Sequence, residues 1–187
     1  MSLSDKQREL LLNVARESIA HGLSERCALP VEAVAYESRL REVQASFVTL
    51  HLEHRLRGCM GGLEAWQPVV QDVSQHAFMA AFSDHRFVPL TPDEFPHVRL
   101  HLSLLSPHAA LEFAGETELA GGLRPGIDGL LIAWQGHRAT FLPSVWGHLP
   151  EPRQFILELK RKAGIPEECE DYCAWRYTTE SFEDTGA

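Results

Sequence analysis

Val43-Gln44-Ala45-Ser46-Phe47-Val48-Thr49-Leu50-His51-Leu52, then Glu53-His54-Arg55, then Leu56-Arg57-Gly58-Cys59-Met60-Gly61-Gly62 decides the fold class. Val48, Leu50 and Leu52 share one face and Phe47, Thr49 and His51 the other, the two-residue period of a strand. Glu53-His54-Arg55 reads as a turn, Leu56–Met60 as the returning strand, and Gly61-Gly62 as its end or a bulge. A hairpin, rather than a strand handing over to a crossover helix, marks an antiparallel sheet.

Working outward, the segments alternate between helical stripes and further hairpins. Toward the N-terminus, Ser4 to His21 reads as a helix: Ser4 caps it, Gln7 stands three residues on, and Gly22 is its expected stop. Its apolar stripe is Leu10, Leu11, Val14, Ala15 and Ile19. After the hairpin, Pro68 opens a helix reaching about Phe82, with Val69, Val70, Val73, Ala77, Ala80 and Ala81 inward. Thr91-Pro92-Asp93-Glu94 is a capped helical turn. Val98, Leu100, Leu102 and Leu104 alternate with Arg99, His101 and Ser103 in a strand. Ile127–Trp134 and Arg138–Leu142 form a second hairpin around Gln135-Gly136-His137, Pro152–Ala163 a third long helix, and Trp175–Thr179 a last strand. Hairpins interspersed with helices give an α+β chain, not a doubly wound parallel sheet.

The 187 residues suit one domain, 1–187, with room for a larger and a smaller lobe. Apolar residues are 44% and charged residues 23%, and the formal net charge is −9. A chain of this size buries roughly 70% of its unfolded surface, so it needs no metal or disulfide for stability. The acidic balance repels a phosphate backbone and disfavours nucleic-acid binding. Lys160-Arg161-Lys162, the densest basic run, is placed to complement the C-terminal end of its helix. No signal core opens the sequence, and no apolar run approaches the roughly 20 residues of a membrane helix. The expectation is a cytoplasmic protein with free thiols at Cys27, Cys59, Cys169 and Cys173.

Most chemical motifs are missing: there is no phosphate loop, no dinucleotide fingerprint and no Gly-x-Ser-x-Gly elbow. Cys169 and Cys173 have metal-like spacing, but zinc takes about four ligands and neither other cysteine is paired nearby; ordinary thiols are favoured. His97 and His101, on one strand face, stand about 13 Å apart and cannot share an ion. No metal or other cofactor is implied. Arg57-Gly58-Cys59-Met60-Gly61 is the segment with chemical content. Arg57 offers a bidentate fork for a carboxylate or phosphate and a cation beside a thiolate; Gly58 and Gly61 leave backbone open to close approach; Cys59 is a nucleophile candidate. The pattern alone favours the alternative, a small buried cysteine among glycines that permit tight packing. Asp84-His85-Arg86-Phe87 reads either as an acid and a cation at a cleft rim or as a self-paired loop with Phe87 plugging the core.

Together these segments resemble the AMMECR-type domain family, protein A of the AmmeMemoRadiSam system. The family hallmark Leu-Arg-Gly-Cys-Ile-Gly is matched by Leu56-Arg57-Gly58-Cys59-Met60-Gly61, with Met for Ile. Its Asp-Pro-Arg-Phe-x-Pro-Leu stretch is matched by Asp84-His85-Arg86-Phe87-Val88-Pro89-Leu90, with His for Pro. Ser103-Leu104-Leu105-Ser106-Pro107, Gly126-Ile127-Asp128-Gly129-Leu130, Leu142-Pro143 and Lys162-Ala163-Gly164 agree as well, in order, over nearly the whole chain. The resemblance implies two related strand–helix halves around one barrel-like, mainly antiparallel sheet. It implies Memo-type and radical SAM proteins as partners. It supplies no reaction, so whether the chain is an enzyme stays open. It marks Cys59, Arg57 and Asp84 as candidates for chemistry and Gly58, Gly61 and Arg86 as candidates for binding. A non-catalytic scaffold for the same partners is the competing expectation.

Overall fold

The computed structural model describes residues 2–184. It resolves into two compact units: residues up to Leu105 together with those from Glu180 on, and Ser106–Thr179.

The first unit begins with α1 (Asp5–Glu25), capped by Ser4 and Gln7 reciprocally. The helix does not stop at Gly22, as expected, but runs on to a left-handed cap at Arg26. Gly22 is buried inside it, because a Cβ there would lie 2.5 Å from the Phe82 ring. The small residue serves helix–helix contact, and the α1 stripe of Leu11, Val14, Ala15 and Ile19 is buried as the spacing requires. β1 (Ser46–Leu52) turns back through Glu53 and His54, both at positive φ, into β2 (Arg55–Gly61). Pro68 caps rather than opens α2 (Val69–Phe82), whose six expected inward residues are all buried. β3 (Val98–Leu105) sends Val98, Leu100, Leu102 and Leu104 into the core. Each such side chain contributes roughly 1.5–3 kcal/mol by burial. The pattern did not mark a further strand, β8 (Thr179–Glu183), because Thr179-Glu180-Ser181-Phe182-Glu183 carries one apolar residue.

The second unit holds β4 (Ala109–Leu111), α3 (Glu116–Gly122), β5 (Gly129–Trp134), β6 (His137–Phe141), α4 (Pro152–Ala163) and β7 (Cys173–Tyr177). Its hairpin turns on Gln135 and Gly136, both at positive φ, so His137 belongs to the strand. Its own core gathers Leu130, Ile132, Trp146, Phe155, Ile156 and Leu159. The basic run lies in the last turn of α4, as expected, and is also paired within the chain. Lys160 is fully buried and donates to Glu116 and to the Glu167 carbonyl, and Arg161 pairs with Glu158 and Glu167. A buried ammonium must be paired, and these partners pair it.

The strands make two four-stranded sheets, β2-β1-β3-β8 and β4-β7-β5-β6, instead of the expected single barrel-like sheet. The register pairs are antiparallel, as expected. Closure would require the end strands to pair. At the edge strand β2, the Cys59 N–H is taken by the Asp84 carboxylate instead. Among the described residues no helix is long and apolar enough to cross a membrane.

Candidate functional site

All six candidate residues lie in the first unit, on β2 and on the loop after α2. A register shift opposite Leu50 and His51 inserts Arg57 as an extra residue in β2. Its side chain is 10% exposed. It donates through Nε and Nη2 to the two Glu94 oxygens, each at 2.9 Å, and through Nη2 to the Pro89 carbonyl at 3.4 Å. Glu94 also accepts from the Thr91 backbone and hydroxyl, so it caps its turn and receives Arg57 at once. The Arg57 fork holds Glu94 at about pKa 2 against the opposing pull of burial. The anion that Arg57 was expected to hold is therefore carried by the chain itself.

Asp84 is buried and accepts from the Cys59 N–H at 2.9 Å, the Arg86 N–H at 3.2 Å, Arg86 Nε at 2.9 Å and Arg86 Nη2 at 2.6 Å. The Arg86 hydrogen bonds hold its carboxyl well below the usual range despite burial. It stays ionised at neutral pH and is no proton donor there. In return Asp84 raises Arg86 above the ordinary arginine value, burial opposes it, and the Asp84 and Cys59 charges add to the rise. Half of the Arg86 side chain remains in solvent. Phe87 is only half-buried and does not plug the core. It lies 6.0 Å from the Arg57 guanidinium carbon and 5.5 Å from that of Arg86, and Leu90 is the loop's core residue.

Cys59 is half-buried, and Thr49 Oγ1 donates to its Sγ at 3.3 Å. The glycines on either side are filled from the inside. A Cβ on Gly58 would lie 2.1 Å from the Ala80 carbonyl of α2, and one on Gly61 would lie 2.4 Å from the Phe47 ring. They let a helix and a side chain approach the strand, which is the packing alternative for both.

Three partners were not singled out by the pattern: Thr49, Glu94 as the counterion of Arg57, and a buried cluster under the same sheet. In that cluster Asp72 Oδ2 accepts from the Ser46 N–H at 2.9 Å and from its hydroxyl at 2.6 Å, and lies 3.0 Å from His76 Nδ1. The Ser46 hydroxyl is spent on the carboxylate, so this is a satisfied polar core rather than a nucleophile with its base. The spacing of Asp72 and His76, four apart on a helix, was the signal available. Among the described residues no group of three or more His, Cys, Asp or Glu is placed to hold a metal ion.

Comparison with known proteins bears on the same stretch. A family model described as AMMECR1 matches residues 12–182. A protein of Methanothermobacter thermautotrophicus is 29% identical over 192 residues, covering 98% of this chain and 97% of its own length. One from Thermococcus onnurineus is 31% identical over 194 residues, covering 97% and 92%. The crystal structure of an uncharacterized protein from Pyrococcus horikoshii superposes with a TM-score of 0.89 at 27% identity, covering 98% of this chain and 94% of that one.

Proposed function

The chain belongs to the AMMECR1 family, and from that premise we propose that it acts on an anionic small molecule or a modified protein side chain at Cys59. In this reading it is a cytoplasmic component of the AmmeMemoRadiSam system, and residues 1–187 form one AMMECR-type domain with two lobes. The observation that carries the reading is the Cys59 corner itself. Cys59 is part-exposed, a hydroxyl donates to its sulfur, and its backbone is pinned by a carboxylate that also holds the half-exposed Arg86 guanidinium. Cys59 is the nucleophile, and Asp84 fixes it and Arg86. Arg86, whose Nε and Nη2 are held by Asp84 but whose side chain is half in solvent, receives the substrate anion on its remaining edge where the buried Arg57 cannot.

Peptide-resolved alkylation tests this. Cys59 is expected to react faster than the more exposed Cys27 and Cys173, and to prefer anionic iodoacetate over neutral iodoacetamide relative to them. Arg86→Met is expected to abolish that preference. If Cys59 reacts no faster than the exposed thiols, the nucleophile reading fails.

A second reading is favoured by one specific fact: Arg57 and Asp84 already have partners within the chain. On it, the motif is architecture, and the chain is a non-catalytic partner of Memo-type and radical SAM proteins. Sedimentation of the mixed proteins at micromolar concentration checks this, and the absence of any complex would count against it.

A further inference from the structure

The sheet of the first unit has a helix-covered face and a second face. Thr49 is paired across β1–β2 with Cys59 and across β1–β3 with His101. Directly opposed residues on antiparallel strands project to the same face, with Cβ atoms about 5 Å apart. The contact between Thr49 Oγ1 and Cys59 Sγ confirms that for one pair. The flanking residues Val48, Leu50, Leu100 and Leu102 face the core on the other side. On β8, Ser181 lies on the second face, because its hydroxyl is 2.9 Å from that of Ser103. Phe182 turns to the core, so Glu183 returns to the second face and acts electrostatically on His101. One row thus crosses β2, β1, β3 and β8: thiol, hydroxyl, imidazole, carboxylate.

We infer that this row takes up the thiol proton of Cys59, with His101 accepting it by way of the Thr49 hydroxyl and Glu183 steadying the imidazole. The inference rests on the nucleophile reading above and supplies the base which that reading lacks. A hydroxyl both accepts and donates. The proton leaving Sγ passes to Thr49 Oγ1 as the proton already on Oγ1 passes to the imidazole. Thr49 ends unchanged, and a thiolate and an imidazolium replace a thiol and an imidazole, with total charge conserved. Thr49 then donates to the thiolate, the direction of the hydrogen bond in the structure. Burial lowers His101, His51 adds to the lowering and Glu183 opposes both, so the ring is neutral at pH 7 and the imidazolium it forms on accepting the proton depends on Glu183. The charged and titratable groups facing it are Glu183 of β8, His51 of β1 and Arg99 of its own strand. Thr49, His101 and Glu183 act through Cys59 and are positioning residues.

The test is the pH profile, from 5 to 9, of Cys59 alkylation by iodoacetamide, resolved by peptide mapping. His101→Gln is expected to lower the rate at pH 7 by about tenfold, the effect of one unit in the proton balance, and to remove the low-pH inflection. Thr49→Val is expected to do the same and Thr49→Ser to restore the rate, with melting temperatures reported alongside to exclude unfolding. A purely structural role would not move the inflection. His101→Gln and Thr49→Val proteins with the wild-type profile would overturn the row while leaving Cys59 a nucleophile. A wild-type Cys59 that fails to react across the range would overturn both.

Discussion

Gly58→Ala separates the packing role of the motif glycines from a ligand role. The added Cβ would sit 2.1 Å from the Ala80 carbonyl, where real Cβ contacts are essentially never under 3.0 Å. The obstacle is helix backbone, which cannot rotate away as a side-chain tip can. β2 and α2 must part by about 1 Å, which forfeits a quarter to a half of the contact energy of each atom lining the gap. Those atoms belong to the core formed by Leu50, Ala77, Ala80 and Ala81. Overpacking of this kind costs about 1–3 kcal/mol, and the rigid obstacle places this case at about 3. For a protein of this size that is a fall of about 6–12 °C in melting temperature. Gly121→Ala is the matched control: it lies in α3, and a Cβ there meets nothing within 4 Å. It is expected to be neutral or to stabilise by up to about 1 kcal/mol through helix propensity. Thermal and urea unfolding of both variants provide the assay. A Gly58→Ala protein melting within about 2 °C of wild type would refute the packing argument and return Gly58 to the ligand-binding candidates.

Glu94 and Asp84 should show in acid. Both carboxyls are depressed in the folded chain, so their contribution is complete above their unfolded values and is lost as pH falls. For Glu94 that window runs from 4.5 down to about 2. With 28% of its side chain exposed, its share is about 2 kcal/mol; a Glu94→Gln variant is expected to be less stable at pH 7 and to show a shallower acid limb, and an unchanged limb would contradict the ion-pair account. Lys160→Ala leaves Glu116 and the Glu167 carbonyl without their ammonium and is expected to cost about 3–5 kcal/mol in urea unfolding, whereas a loss under 1 would mean that water replaces the ammonium freely. Gly22→Ala adds helix propensity to α1 but strikes the rings of Phe78 and Phe82; a net loss of about 1–3 kcal/mol is expected, and a gain would show that the rings swing aside.

Local chemistry was enough for most elements. Alternation predicted β1 and β3, the capping pair Ser4 and Gln7 started α1, and Pro68 and the valine-alanine stripe placed α2. Those features rest on periodicity and backbone geometry within a few residues, which a sequence carries openly. The motif residues were legible for the same reason. Their partners were not. Glu94 looked complete as a turn cap, yet it is the counterion of Arg57, 37 residues away. Thr49 and His101 looked like the wet side of two strands, and only the register aligns them with Cys59. Gly22 looked like a stop until Phe78 and Phe82 met it across a helix pair. β8 lacked an apolar run because pairing with β3, not burial of its own side chains, makes it a strand. Elements and motif were thus determined by the chain locally. Which charges are spent internally, which glycines are packing and which side chains share a face with the thiol were decided by tertiary structure, because each depends on what a distant strand or helix brings within 3 Å.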